Sequence, residues 1–88
     1  MKHGWTVYIL ECADGSLYTG VARDLQRRLR QHNGLESGGP RYTSGRRPVH
    51  LRWSAPAASR SAAQQREAAI KKLSTASKWR LIATGSAG

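Results

Sequence analysis

Residues 5–21 read WTVYILECADGSLYTGV, two runs of β-forming residues around an Asp-Gly pair. Asp14-Gly15 is a strong short-range turn signal, so the stretch predicts a β-hairpin. Side chains on a strand alternate between faces. Trp5, Val7 and Ile9 then point one way, and Thr6, Tyr8, Leu10 and Cys12 the other. Gly20, inside the returning strand, leaves a space where another backbone or a ligand can come close.

The flanking sequence must cover this hairpin. Asp24 is placed to cap a helix, and its negative charge suits the positive end of the helix dipole. Leu25 and Leu29 lie one turn apart and supply a buried stripe, and Gly34 is the expected stop. Residues 34–47, GLESGGPRYTSGRR, are rich in Gly and Ser and read as a mobile loop. PVHLRWS, residues 48–54, predicts a third strand with Val49, Leu51 and Trp53 on one face. Ser61 and Gln64 form a capping-box pattern that predicts a helix over 62–73. Thr75 is the expected cap of a last helix ending near Gly85. The expectation is an α+β fold in one domain spanning 1–88: a small three-stranded antiparallel sheet flanked by helices, in the order β-β-α-β-α-α.

Composition narrows the function. Fifteen basic residues face five acids, giving a net charge of +10. Such an excess favours a polyanionic partner, because each phosphate contact releases counterions. Nucleic acid is the default: DNA, with RNA not excluded. No lysine-rich amphipathic helix with a bulky apolar face marks a membrane surface. No apolar run approaches the ~20 residues of a membrane span, and the N-terminal stretch is interrupted too soon for a signal peptide. The single cysteine, Cys12, allows no internal disulfide and fits a reducing cytoplasm as a small core filler. The sequence carries no signal for oligomeric state.

Some of the polar residues sit where chemistry is possible. Arg28 and His32 are four apart on the basic helix and project together, beside the leucine stripe. Arg27, Arg30 and Gln31 belong mostly to other faces. Tyr8 and Tyr18 are hairpin neighbours near where that helix packs. Each of these residues alone is more often structural than catalytic; their convergence is less usual. Glu67 shares a helix face with Ala63 and Ile70, and a carboxylate on an apolar side costs free energy unless something pairs with it. An arginine would satisfy it, and so would a divalent cation, since Mg²⁺ often uses only one or two carboxylates.

This ordered set resembles the GIY-YIG nuclease superfamily, and most closely its small stand-alone bacterial members; the N-terminal nuclease domain of the excinuclease ABC system is a more distant likeness. The first strand motif appears as VYI (Val7, Tyr8, Ile9) and the second as YTG (Tyr18, Thr19, Gly20). Each is weak alone; the spacing Tyr8, Tyr18, Arg28, His32, Glu67 is specific. The resemblance covers nearly the whole chain. Thr19 stands where the family name has isoleucine. The asparagine that many members carry after the metal helix has no counterpart, since the neighbourhood reads SKWRL around Lys78 and the one asparagine is Asn33.

The resemblance implies a divalent-metal-dependent endonuclease with one Mg²⁺ or Mn²⁺ at Glu67. Arg28 would grip the scissile phosphate. Tyr8 would be the general base and Tyr18 a phosphate or water ligand, roles the two could exchange. His32 would orient that tyrosine or take the proton itself. A phenol loses its proton near pH 10, so this base needs Arg28 and the metal to lower its pKa. Arg23, Arg27, Arg41, Tyr42, Arg46, Arg47 and Lys78 would contact the nucleic acid. A catalytically silent nucleic-acid-binding module of the same fold is the first rival reading. A basic structural partner in a nucleoprotein complex is the second.

Overall fold

The computed structural model describes residues 4–85. Two strands form the expected hairpin, β1 (Trp5–Glu11) and β2 (Leu17–Ala22). Asp14 builds the turn: its Oδ1 accepts from the Ser16 amide at 3.0 Å and the Ser16 hydroxyl at 2.6 Å. Gly15 takes the left-handed conformation there (φ 84°), which glycine adopts without steric cost. A third strand, β3 (His50–Ala57), pairs on the other side of β1, so the antiparallel sheet has the order β2-β1-β3.

The helices are α1 (Leu25–His32), α2 (Arg41–Ser44), α3 (Arg60–Lys71) and α4 (Thr75–Thr84). Apart from the one-turn α2, the order is β-β-α-β-α-α as expected. Asp24 does cap α1, accepting from the Arg27 amide at 3.1 Å. The other two expected caps shift. Ser59, not Ser61, caps α3 by accepting from the Ala62 amide at 3.1 Å, and Ser61 lies in the first turn. Ser59 keeps extended backbone, as a cap requires. Ser74, not Thr75, caps α4 by accepting from the Ser77 amide at 3.1 Å.

Alternation sorts the core into two layers. Val7, Ile9, Trp53 and Ala55 face α3, where Ala63 and Ile70 are buried, with Leu81 and Ile82 of α4 alongside. Tyr8, Leu10, Cys12, Ala22 and Val49 face the opposite side, against Tyr18, Leu25 and Leu29. The expectation that Val49, Leu51 and Trp53 share a face does not hold. The pairing of β1 with β3 slips between Ile9–Trp53 and Leu10–Leu51, so Arg52 is the extra residue of a bulge. Trp53 therefore joins one layer and Val49 the other, while Leu51 is left partly exposed.

Segment 34–47, expected to be a mobile loop, is pinned to α1. The Asn33 side chain donates to the Val49 carbonyl and accepts from its amide, at 3.2 and 2.8 Å. Arg47 Nε donates to the His32 carbonyl at 2.7 Å. Gly39 lies so close to the Gln31 carbonyl that a Cβ there would collide with it. These contacts supply the partners that a Gly/Ser-rich composition cannot advertise.

Candidate active site

The register sets Tyr8 opposite Gly20 and Leu10 opposite Tyr18. Both tyrosines therefore stand on the α1 side of the sheet. Gly20 makes the geometry possible: a Cβ there would sit 2.5 Å from Tyr8 Oη and 3.1 Å from Tyr18 Cε2. The space expected at Gly20 is filled by the chain's own Tyr8 ring rather than left for a ligand.

Helix α1 supplies the next two groups. Tyr8 Oη lies 2.8 Å from His32 Nε2, and both side chains are buried. Tyr18 packs edge-on against the His32 ring with centroids 5.0 Å apart. Arg28, one turn before His32, is half-buried, and its Nη1 donates to Gln31 Oε1 at 2.9 Å and to the Gly38 carbonyl at 3.1 Å. Two of its five N–H donors are thus used to hold the guanidinium in place. Gln31 was assigned to another face. The i,i+3 spacing from Arg28 is the signal that places it in the site.

Glu67 comes from α3, on the opposite face of the sheet from α1. It shares its helix side with buried Ala63 and Ile70, and only 21% of its side chain is exposed. Its Oε2 pairs with Lys71 Nζ at 3.1 Å, so structural pairing is with a lysine one turn on rather than with an arginine. Its negative charge is felt at Tyr8.

The electrostatics differ from expectation in sign. Tyr8 is pushed up to about 12, because burial penalises the phenolate more than Arg28 favours it; the charges of Tyr18 and Glu67 push the same way as burial. His32 is pushed down to about 4 by burial first, then by the positive charges of Arg28 and Arg47. At neutral pH the pair is a neutral phenol against a neutral imidazole. Arg28 does pull Tyr8 down as expected, but burial outweighs it.

The proposed nucleic-acid contacts divide. Tyr42 is 40% exposed, its ring 5.6 Å from that of Tyr18 and capped by the Arg46 guanidinium at 4.1 Å. Arg46 also pairs with Asp14 at 3.1 Å. Arg41 is exposed on α2. Arg23 lies over Trp5 at 5.5 Å. Arg27 pairs with Glu36 at 3.0 Å. A groove of about 260 Å³ runs past Arg23, Arg27, Arg28 and Gln31. Arg47 is committed to the His32 carbonyl, and Lys78 is half-buried on α4, in the layer away from Tyr8.

The carboxylate chemistry limits any metal site. Among the described residues, no three His, Cys, Asp or Glu side chains gather into a cluster, so an all-protein cage is not built here. A single glutamate still suits Mg²⁺ when waters and substrate phosphates fill the other positions. The Lys71 pair is between partly exposed groups and is worth under about 1 kcal/mol, so it does not bar a cation from Glu67.

The sequence model of the GIY-YIG catalytic domain matches residues 4–80. The chain belongs to the GIY-YIG family. That family is one of nucleases, so the substrate class is nucleic acid. A UPF0213 protein from Desulfotalea psychrophila is 45% identical over 87 residues, covering 99% of this chain and 78% of the relative. A UPF0213 protein from Halobacterium salinarum is 49% identical over 72 residues, covering 82% and 91%. The solution NMR structure of a UPF0213 protein from Bacillus halodurans is 36% identical, with a TM-score of 0.59 over 93% of this chain and 85% of that one. Like this GIY-YIG chain, these relatives are small proteins that the shared unit nearly fills. No helix among the described residues is long and apolar enough to cross a membrane.

Proposed function

We propose that this protein is a divalent-metal-dependent endonuclease that hydrolyses phosphodiester bonds in DNA, selecting structure rather than sequence, with a role in DNA repair or recombination in the cytoplasm. The observation that carries the reading is the buried Tyr8–His32 hydrogen bond beside a braced Arg28. Hydrolysis needs water to attack phosphorus, a proton to leave that water, and charge on the phosphate oxygens to be met.

Arg28 meets the charge, its planar fork suiting paired phosphate oxygens. Tyr8 handles the proton. With its pKa near 12 it is no standing phenolate. It acts as a relay: its oxygen takes the water's proton while its own hydroxyl proton passes to His32 Nε2, 2.8 Å away. The water oxygen bonds to phosphorus, and the P–O bond to the leaving oxygen breaks. A phosphate paired with Arg28 also cancels part of the charge that holds His32 low, so substrate binding eases proton arrival there. Glu67 would hold one Mg²⁺ or Mn²⁺, which when bound supplies Lewis-acid stabilisation of the phosphate oxygens. Tyr18 orients water or phosphate, and Tyr42 with Arg46 offers a stacking surface for an unpaired base.

The test is purified protein with branched, nicked and single-stranded DNA. Cutting that requires Mg²⁺ or Mn²⁺, and that disappears in Glu67→Ala while binding survives, supports the reading. Metal-independent binding with no cutting of any substrate leaves the silent module instead.

A further inference from the structure

Thr43 is a buried polar side chain in a segment otherwise made of glycine, serine and surface arginine. It sits in α2 with no exposure, and its Oγ1 lies 2.9 Å from His32 Nδ1 and 3.3 Å from the Pro40 carbonyl. A threonine hydroxyl has one hydrogen to give, and a carbonyl can only accept. If that hydrogen points at Pro40, Oγ1 meets Nδ1 as an acceptor, and Nδ1 must carry the ring hydrogen. A neutral imidazole has only one, so Nε2 is bare and accepts from the Tyr8 hydroxyl. The chain of donors then runs one way: Tyr8 O–H to His32, His32 Nδ1–H to Thr43, Thr43 O–H to Pro40.

We propose that Thr43 is a positioning residue which fixes His32 in the Nδ1–H tautomer and so aims a bare Nε2 at Tyr8. The opposite tautomer would place a hydrogen between Nε2 and the Tyr8 oxygen. His32 would then donate to Tyr8, and its Nε2 would have no lone pair to receive the phenol proton. Both His32 and Thr43 are fully buried, so no solvent molecule stands ready to substitute for the hydroxyl. Among the described residues, no buried side-chain nitrogen or oxygen lacks a partner, which is what a closed donor chain requires. The low pKa of His32 supports a ring that is neutral, and therefore tautomeric, at physiological pH.

The tautomer is a property of the fold, whereas its use in proton transfer rests on the nuclease reading above. The experiment separates the two. Long-range proton–nitrogen NMR correlation on the full ¹⁵N-labelled chain distinguishes a protonated from a bare ring nitrogen, and the His32 signals are those lost in His32→Gln. The expected result is protonated Nδ1 and bare Nε2 in the wild type. That pattern is kept in Thr43→Ser, and it shifts toward the other tautomer in Thr43→Val. In cleavage assays Thr43→Val lowers kcat by roughly 10- to 100-fold, less than loss of the relay itself, with KM unchanged and Thr43→Ser restoring the rate. A wild-type His32 protonated at Nε2 overturns the proposal whether or not any variant folds, as does a Thr43→Val spectrum identical to wild type. A protein that cuts nothing but shows the expected tautomer, lost in Thr43→Val, refutes the nuclease reading and upholds the positioning.

Discussion

The two faces of this small sheet are buried to the same degree and by opposite chemistry. The face toward α3 is hydrocarbon: Val7 and Ile9 have no exposure, and Trp53, Ala55, Ala63 and Ile70 close over them. The face toward α1 buries Tyr8, His32 and Thr43 just as fully, yet each is tied by a hydrogen bond. Dispersion and water exclusion hold the first layer, and they tolerate approximate shapes. The second is held by directional contacts, each of which leaves an unpaired buried group if one partner is removed. One strand supplies both, because Val7 and Tyr8 are neighbours that point in opposite directions. The chain thus separates the work of staying folded from the work of moving a proton across the thickness of one sheet.

The sharpest way to break that division is Tyr8→Phe. It keeps the ring and removes the relay, so single-turnover cleavage should fall roughly 10²- to 10⁴-fold, while melting shows a loss of only about 1–3 kcal/mol from the unpaired His32 nitrogen. A stability loss alone, with full activity, would refute the proposed role of Tyr8. Ile9→Ala is the mirror experiment. It should cost about 2–5 kcal/mol in urea unfolding, a large part of the roughly 5–15 kcal/mol of a typical domain. Cleavage per folded molecule should stay near wild type.

Gly20→Ala tests whether the faces are independent at their closest point. The added methyl would meet Tyr8 Oη at 2.5 Å, so the ring must move. The expected cost is about 1–3 kcal/mol, with a larger proportional loss of activity than of stability. The smallest effect is pH dependence. His32 takes a proton near 6.5 when unfolded but only near 4 when folded, so between those values the unfolded state binds more protons. Its contribution to stability is complete above pH 6.5 and is lost as the pH falls toward 4, with a slope of at most about 1.4 kcal/mol per pH unit. His32→Gln should flatten that part of the curve in urea titrations at successive pH values.

How far the sequence could be read follows from the same geometry. Strand alternation told the hairpin's faces apart, because Trp5 to Cys12 obeys a period of two without interruption. The pairing of Arg28 with His32 followed from helical spacing alone. The bulge was invisible, since an extra residue at Arg52 changes no composition and only a partner strand reveals it. Thr43 was missed because its significance lies in contact with a residue eleven positions earlier, inside a segment whose glycines and serines signal looseness. The shift on Tyr8 was misjudged because charge is countable in a sequence and desolvation is not.

The slipped register of β3 makes that strand a tie beam rather than a wall. It delivers Trp53 and Ala55 to one storey, while Val49, just before it, belongs to the other. Peeling it away would open both storeys at once, so neither has a separate melting point to reveal. Calorimetry should therefore record one cooperative transition, in which the proton-handling groups lose their alignment at the temperature where the hydrocarbon layer lets go.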